Sequence, residues 1–321
     1  MKNPLITIAI PTLRRLPYLQ EAVACALAQT YPHIEVLVSQ DVDRNGLNPE
    51  IRAWCIAKAE EEPRFRYQAC EKNLGLAGNW NAVASAAQGK YIVITGDDDR
   101  LLPDFVKSLV EKMDESTHVI FSNHYIIDGE GKRNLEKSEE AVIRFHRSTM
   151  PGGLLTLPEK YVWKNAIPML SALVLTEDVR RFRFSEELNT PEIELFLHIA
   201  QAGGSFYFLP EYLAEFRVHG QSATMSGLRL ERLVKRLTPL AVSSEVAPFK
   251  QEYLEMLVID SVTQCLLRGE IQEAKLLLAN PYYPSEVGVR SLMQKACLAM
   301  PEPLAKEFYT FMHKAALRAR G

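Results

Sequence analysis

Lys90-Tyr91-Ile92-Val93-Ile94-Thr95-Gly96-Asp97-Asp98-Asp99 is the stretch on which the reading of this chain turns. Tyr91 to Ile94 are β-prone and show no alternating polar face, the mark of a strand buried on both sides. The run then stops at a glycine and three consecutive carboxylates. Three acids at one strand tip repel each other, and the apolar strand draws them toward low dielectric. Such a cluster calls for a cation. In an open α/β sheet, ligands bind outside the carboxyl ends of the strands, and a hard divalent ion holding a phosphate-bearing ligand suits that place. The competing reading of Asp97 to Asp99 is a polar turn before a helix, with Pro103 and Asp104 in its first turn and its end near Met113.

Outward from this strand, the first 115 residues alternate strand and helix. Leu5 to Ile10 reads as a buried strand stopped by Pro11-Thr12. Leu19, Val23, Ala26 and Leu27 then fall at helical spacing between Pro17 and Gln29, and Tyr31-Pro32 breaks that helix. Ile34 to Val38 is a second strand running into a polar turn, Ser39 to Gly46. Pro49 to Glu61 reads as a helix and Phe65 to Gln68 as a short strand. Asn73-Leu74-Gly75-Leu76-Ala77-Gly78-Asn79-Trp80-Asn81 reads as a loop opening a helix that ends at Gly89. The pattern is that of a doubly wound, mainly parallel sheet, an α/β fold.

Downstream, Val119 to Asn123 and Ala141 to Phe145 read as strands parted by the turn Asp128-Gly129-Glu130-Gly131. Met150-Pro151-Gly152-Gly153 opens a loop, Ser171 to Thr176 is strand-like, Glu192 to Gln201 is a helix, and Ser205 to Leu209 is a last strand. From about Met225 only helical periodicity is left, parted by Gly269, Pro281 and Pro301. The expected domains are therefore 1–224 and a helical appendage at 225–321. In the last helix, Lys306, His313, Lys314, Arg318 and Arg320 lie beside Leu304, Phe308, Phe311 and Met312. That set suits a peripheral contact with an anionic membrane, a homo-oligomer contact, or a solvated face whose cations complement the helix dipole.

Bulk properties bound the rest. The chain has 321 residues, 47% apolar and 24% charged, with a net charge of −3. This is ordinary for a globular protein and offers no basic surface for nucleic acid. Cys25, Cys55, Cys70, Cys265 and Cys297 have no metal-ligand spacing, and reduced thiols in the cytoplasm are expected. Leu5 to Ile10 is too short for a signal segment, and no apolar run has the length of a membrane span.

Six pieces in order resemble the motifs of the family-2 glycosyltransferases, which have the GT-A fold. They are Ile8-Ala9-Ile10-Pro11-Thr12, Ala28-Gln29-Thr30-Tyr31, Val38-Ser39-Gln40-Asp41, Asn73-Leu74-Gly75, Tyr91 to Asp99, and Phe216-Arg217-Val218-His219-Gly220. The resemblance spans about residues 5 to 222 and leaves the helical appendage outside.

The resemblance implies that Pro11, Thr12 and Asp41 hold the base of a UDP- or dTDP-sugar, Asp41 accepting the imide N–H. The family carries two adjacent acids there. This chain has Gln40 first, so Asp41 stands alone, and turn capping is its other reading. Asn73, Gly75 and Asn81 are implied along the ribose and diphosphate, where glycines allow close approach and a helix start offers free N–H groups; Asn81 also suits helix capping. The family's Asp-x-Asp-Asp becomes Gly96-Asp97-Asp98-Asp99. Asp98 falls at the metal position, Asp97 on the ribose or metal-water side and Asp99 just behind the metal's direct ligands, and the shift leaves open which of the three touches the ion directly. His219 matches a late histidine that closes the metal shell, a donor set fitting Mn²⁺ and tolerating Mg²⁺, or it is a satisfied loop histidine.

Glu192 takes the slot of an Asp general base at a helix start, one methylene longer, with Glu194 as second choice; an acid there also complements the helix dipole. Trp163 and Asn165 fall on the acceptor side, where the tryptophan stacks on a sugar or fills the core. The expectation is a cytoplasmic, metal-dependent, inverting glycosyltransferase, free or at the inner face of the membrane. It moves a sugar to a saccharide or lipid-linked saccharide in bacterial surface polysaccharide synthesis. The departures at Gln40, Gly96 and Glu192 keep open a catalytically weak sugar-nucleotide-binding or scaffolding protein that recruits partners through its tail. A nucleotidyltransferase shares the sheet and the acids, but no glycine-rich, lysine-bearing loop follows the first strand, Arg14-Arg15 being the nearest substitute.

Overall fold

The strands that end at the candidate site are rich in β-branched residues and buried on both faces. β1 (Ile6–Thr12) leads through α1 (Leu16–Leu27) to β2 (Ile34–Gln40), and α2 (Pro49–Glu61) leads to β3 (Phe65–Ala69). α3 (Gly75–Ala86) then returns the chain to β4 (Tyr91–Ile94). β2 and β4 are buried at every residue. β1 lies between them in parallel, with Ile8 opposite both Val36 and Val93. Their side chains fill one core cluster with Leu19, Val23, Ile51 and Phe65 from the covering elements. The computed structural model describes residues 3–220, 229–285 and 288–318 and contains two compact units, Met1–Ser226 and Gly227–Gly321.

The second half of the first unit runs β5 (Arg100–Leu101), α4 (Phe105–Val110), β6 (Thr117–Ile127), β7 (Arg133–Asn134), α5 (Leu135–Arg144), β8 (Gly153–Leu154) and α6 (Pro158–Trp163). It continues with β9 (Ala172–Leu175), α7 (Thr176–Phe182), α8 (Glu192–Gln201) and β10 (Ser205–Arg217). The strand order is β3-β2-β1-β4-β9-β6-β10-β5, with β7 on β6 and β8 on β10. Four of the nine strand pairings are parallel: β1–β2, β1–β4, β2–β3 and β6–β10. β9, however, runs antiparallel to both β4 and β6, so the sheet is mixed around a parallel core.

Four expectations change. Ala141 to Phe145 is not a strand. It ends α5, which Asn134 caps by accepting from Lys137 N at 2.9 Å and which buries Ser138 and Val142 one turn apart. The β-branched Val142 and Ile143 suggested a strand, but the cap and the buried stripe decide otherwise. β10 does not stop at Leu209. It passes through Pro210 in an irregularity of its register with β6, where the missing N–H costs no ladder bond, and runs on to Arg217. α3 begins at Gly75, so Gly78 to Asn81 are helical and not loop. α4 is shorter than the expected run to Met113.

The second unit holds α9 (Leu230–Leu237), α10 (Ala247–Arg268), α11 (Ile271–Leu278), α12 (Val289–Leu298) and α13 (Glu302–Arg318). Gly269, at φ 83°, ends α10 in the left-handed cap that glycine adopts without strain. In α13 the buried face is Ala305 and Tyr309, while Leu304, Phe308 and Phe311 are exposed. The expected boundary near Met225 and the basic Arg320 lie outside the described residues.

Candidate active site

Parallel pairing places the carboxyl ends of β1, β2 and β4 side by side, with Thr12 opposite Gln40 and Thr95 N bonded to Ala9 O at 3.0 Å. β1 outruns β4, so its tip faces the acidic turn. Thr12 Oγ1 donates to Asp97 Oδ2 at 2.6 Å. Asp97 is 2% exposed, and burial raises its pKa while Arg15 opposes the rise. The fork of Arg15 bonds Asp97 through one nitrogen and reaches Asp98 Oδ2 at 2.5 Å through the other. His219, two residues past β10, brings Nε2 to 2.9 Å from the same Asp98 oxygen and 3.1 Å from the guanidinium. The sequence argument asked for a cation at this tip. The chain supplies one of its own.

Asp99 points elsewhere. Its Oδ1 accepts Arg217 N at 2.9 Å, tying β10 to the β4 tip. Burial and the neighbouring Asp98 push its carboxyl up to about 8. Arg217, with 1% of its side chain exposed, donates to Asp98 O at 2.7 Å, to Asp128 O at 3.3 Å, to Gly129 O at 3.1 Å and to Glu21. It also lies over the Tyr18 ring, which flanks His219 with centroids 5.1 Å apart. At position 96 a Cβ would sit 2.6 Å from Asp98 Oδ1 and 2.8 Å from Asp99 Oδ2, so any side chain there would have to move these carboxylates.

Several expected ligand contacts are structural in this chain. Asp41, 5% exposed, accepts from Val42 N at 2.8 Å, Leu74 N at 2.9 Å and Gly75 N at 3.0 Å. Three of roughly four carboxylate acceptor sites are thereby taken. Its work is to cap α3 across the sheet and to fix Gly75 at φ 67°. Gln40 bonds Asn48 O and Tyr67, which makes it an internal strut. Asn73 donates to Val42 O. Asn81 is 4% exposed, with both ends of its amide on the backbone of Phe184, so it clamps the segment before α8. Trp163 is 1% exposed, with Nε1 on Glu159, and has no open face for a sugar. Asn165 turns the chain at φ 52°, a conformation asparagine tolerates. Its neighbour Ala166 is held by the buried Arg147, which also bonds Asn123. Pro11 stays partly exposed at the β1 tip, opposite Ser39.

Glu192 is the first residue of α8 and is half-buried. Burial raises its carboxyl to about 7, where a general base works best near neutral pH. Glu194 is buried at 4%. The sequence reading missed Arg15, Arg217 and Tyr18 as members of the site. The one legible signal was the arginine pair that follows a strand tip in a chain whose other tip carries three acids.

Among the described residues, no three His, Cys, Asp or Glu side chains converge into a ready-made ion cage. Asp98 and His219 nevertheless present one oxygen and one nitrogen 2.9 Å apart. Octahedral binding at ~2.0–2.1 Å sets neighbouring donors about 2.9 Å apart, and Mg²⁺-type sites are completed by substrate phosphate and water. The pair supplies two of the six donors of such a shell.

The fold is a mixed α/β sheet of the GT-A type. A mannosyltransferase of Pyrobaculum calidifontis, PcManGT, solved with GDP-Man and Mn²⁺, matches with a TM-score of 0.61 at 17% identity, over 99% of this chain and 87% of that one. S. aureus TarS 1-349 with UDP-GlcNAc matches with a TM-score of 0.59 at 15% identity, over 94% and 82%. At such identities the likeness speaks for the fold alone. The model of Glycosyl transferase family 2 matches residues 7–171, just over half of the chain, and the protein belongs to that family.

Among sequence relatives, an uncharacterized glycosyltransferase of Rickettsia bellii (strain RML369-C) is 25% identical over 69% of this chain but only 31% of its own length. TuaG of Bacillus subtilis (strain 168), assigned to teichuronic acid biosynthesis, is 22% identical over 68% of this chain and 81% of its own. The succinoglycan biosynthesis protein ExoO of Rhizobium meliloti (strain 1021) is 27% identical over 47% and 42%. The chain thus spans less than half the length of two of these three relatives.

Proposed function

We propose that this protein is an inverting glycosyltransferase. It moves a sugar from a nucleoside-diphosphate sugar to a hydroxyl of a saccharide or lipid-linked saccharide, in the assembly of a surface polysaccharide. One observation carries the reading: Asp98 and His219, 121 residues apart, meet at 2.9 Å where the tips of β4 and β10 converge with Thr12 of β1. That pair is the place for Mn²⁺ or Mg²⁺, which when bound stabilises charge on the departing diphosphate.

The protein's own residues account for the remaining steps. Thr12 and Arg15 orient Asp97, and Arg217 fixes the β10 tip so that His219 faces Asp98. Glu192, with its carboxyl raised to about 7, accepts the proton of the acceptor hydroxyl as that oxygen attacks the anomeric carbon. Attack from the face opposite the leaving diphosphate inverts the centre, by the same geometry that inverting hydrolases use. Because Asp41 is engaged by three backbone N–H groups, we assign no base preference, and UDP, dTDP and GDP donors are all to be tried. Leu304, Phe308 and Phe311 on the outside of α13 are the contact face we assign to a membrane or a second copy. No helix among the described residues is long and apolar enough to cross a membrane.

The deciding measurement is turnover of a nucleotide-sugar panel with Mn²⁺, wild type against Asp98→Ala and Glu192→Gln. The reading expects release of nucleoside diphosphate by the wild type, none by Asp98→Ala, and donor binding without transfer by Glu192→Gln. Full activity in Asp98→Ala refutes the metal role. Donor binding without any release, even to water, points to the binding or scaffolding alternative.

A further inference from the structure

The Arg15 guanidinium sits where an ion would meet Asp98 and His219. Its contacts among the described residues all go to the site: Asp97, Asp98 at 2.5 Å and His219 at 3.1 Å. Its side chain is 24% exposed, against 3% for Asp97 and 12% for Asp98, so it covers the acids from the solvent side. Arg15 closes the short loop between β1 and α1, and Arg14 reaches the other way to Asp43 at 2.7 Å. A guanidinium and a divalent ion cannot share these donors. Both are cations, and the Nε2 that faces the Asp98 carboxylate and the guanidinium must give up those partners before it can bind a metal.

We propose that Arg15 is a built-in counter-ion of the acid cluster. It gives up Asp98 and His219 when the ion binds, and its released fork takes the diphosphate of the nucleotide-sugar. The inference rests on the functional reading above. The chemistry favours the exchange, since a guanidinium meets phosphate oxygens through two parallel hydrogen bonds as readily as it meets carboxylates. An ion arriving alone must displace Arg15 with nothing to receive it. An ion arriving with a diphosphate leaves the guanidinium paired. Metal and nucleoside diphosphate therefore bind cooperatively, and linkage requires the same coupling factor from either side.

The test uses the full chain, with Mn²⁺ binding followed by the electron paramagnetic resonance of free Mn²⁺, alone and with UDP or GDP. The values are corrected for the Mn²⁺–nucleotide complex that forms without protein, and nucleotide binding is followed by calorimetry. For the wild type, UDP or GDP tightens Mn²⁺ binding by on the order of tenfold, within the usual range of coupling. Arg15→Ala binds Mn²⁺ alone about tenfold tighter than wild type, binds the nucleotide more weakly, and loses the coupling. Arg15→Lys keeps a point charge without the fork and falls between the two. A folded Arg15→Ala protein that binds Mn²⁺ no tighter than wild type, or keeps the full coupling, overturns the proposal. If Arg15→Ala does not fold, Arg15→Lys decides, and wild-type coupling in that variant overturns it. A wild type that binds both Mn²⁺ and nucleotide leaves the functional reading standing whatever Arg15 does. One that binds neither removes both.

Discussion

Replacing Arg217 by Met tests whether one buried cation assembles the site. The side chain is 1% exposed and donates to the carbonyl oxygens of Asp98, Asp128 and Gly129 and to Glu21. Methionine matches its length but donates nothing. The carbonyls lose charge-assisted bonds worth about 1.5–3 kcal/mol each in favourable cases. Glu21 suffers less, because it is 38% exposed and keeps Arg100 at 2.8 Å. Leaving a buried acceptor without its donor costs about 1–3 kcal/mol, and for the three carbonyls together we take about 3–5 kcal/mol for the whole change. At about 2–4 °C per kcal/mol for a unit of this size, the melting midpoint of the first unit falls by about 6–20 °C. Circular dichroism of the full chain against temperature measures it. The Mn²⁺ affinity of the folded variant should also fall, because Arg217 holds the strand end that carries His219. A midpoint within about 3 °C of wild type, below the least shift the estimate allows, together with unchanged Mn²⁺ binding, would refute the role given to Arg217.

Other expectations follow from the same geometry. With the Glu192 carboxyl raised to about 7, kcat/KM of the wild type climbs as pH rises through neutrality and then levels, because only the ionised base accepts a proton. Glu192→Gln loses about 10²–10⁴-fold, and a pH-independent wild-type rate sinks the assignment. Because the folded-state value lies above the 4.5 of an exposed glutamate, ionising Glu192 destabilises the fold. Its contribution is lost as pH rises from about 4.5 through 7, and melting curves of Glu192→Gln should lack that slope. Asp41→Ala strips the acceptor from Val42, Leu74 and Gly75 N–H groups, at a cost of about 1–3 kcal/mol in urea unfolding without any ligand; unchanged stability would show that Asp41 is free to serve the base. Gly89→Ala drives a methyl to 2.5 Å from Thr7 N and 2.8 Å from Leu5 O. Backbone must move, and about 1–3 kcal/mol of stability should be lost.

What the sequence determined by itself are the parts that local chemistry dictates. The β-prone runs Ile6 to Ile10, Ile34 to Val38 and Tyr91 to Ile94, broken only by Thr7 and Glu35, became the buried centre of the sheet, with Glu35 paired inside it to Thr7 and Arg66. The acid run at the end of the third marked the site, and Glu192 to Gln201 became α8 at the expected bounds. Tertiary structure decided what each polar side chain spends its hydrogen bonds on. Asp41 has the right identity and place for a base contact, yet the start of α3 lies within reach and takes its oxygens. Asn81 and Trp163 turned inward for similar reasons, their partners being Phe184 and Glu159. The antiparallel β9 and the long β10 were illegible because strand direction and register depend on partners remote in sequence. Arg15 and Arg217 were in view, one after the first strand and one in the late motif, but their pairing with the acids was not, because an arginine in a loop or at a strand end carries no periodic signal. Only the folded chain brings these cations, 82 and 119 residues away in sequence, onto the acids of the β4 tip.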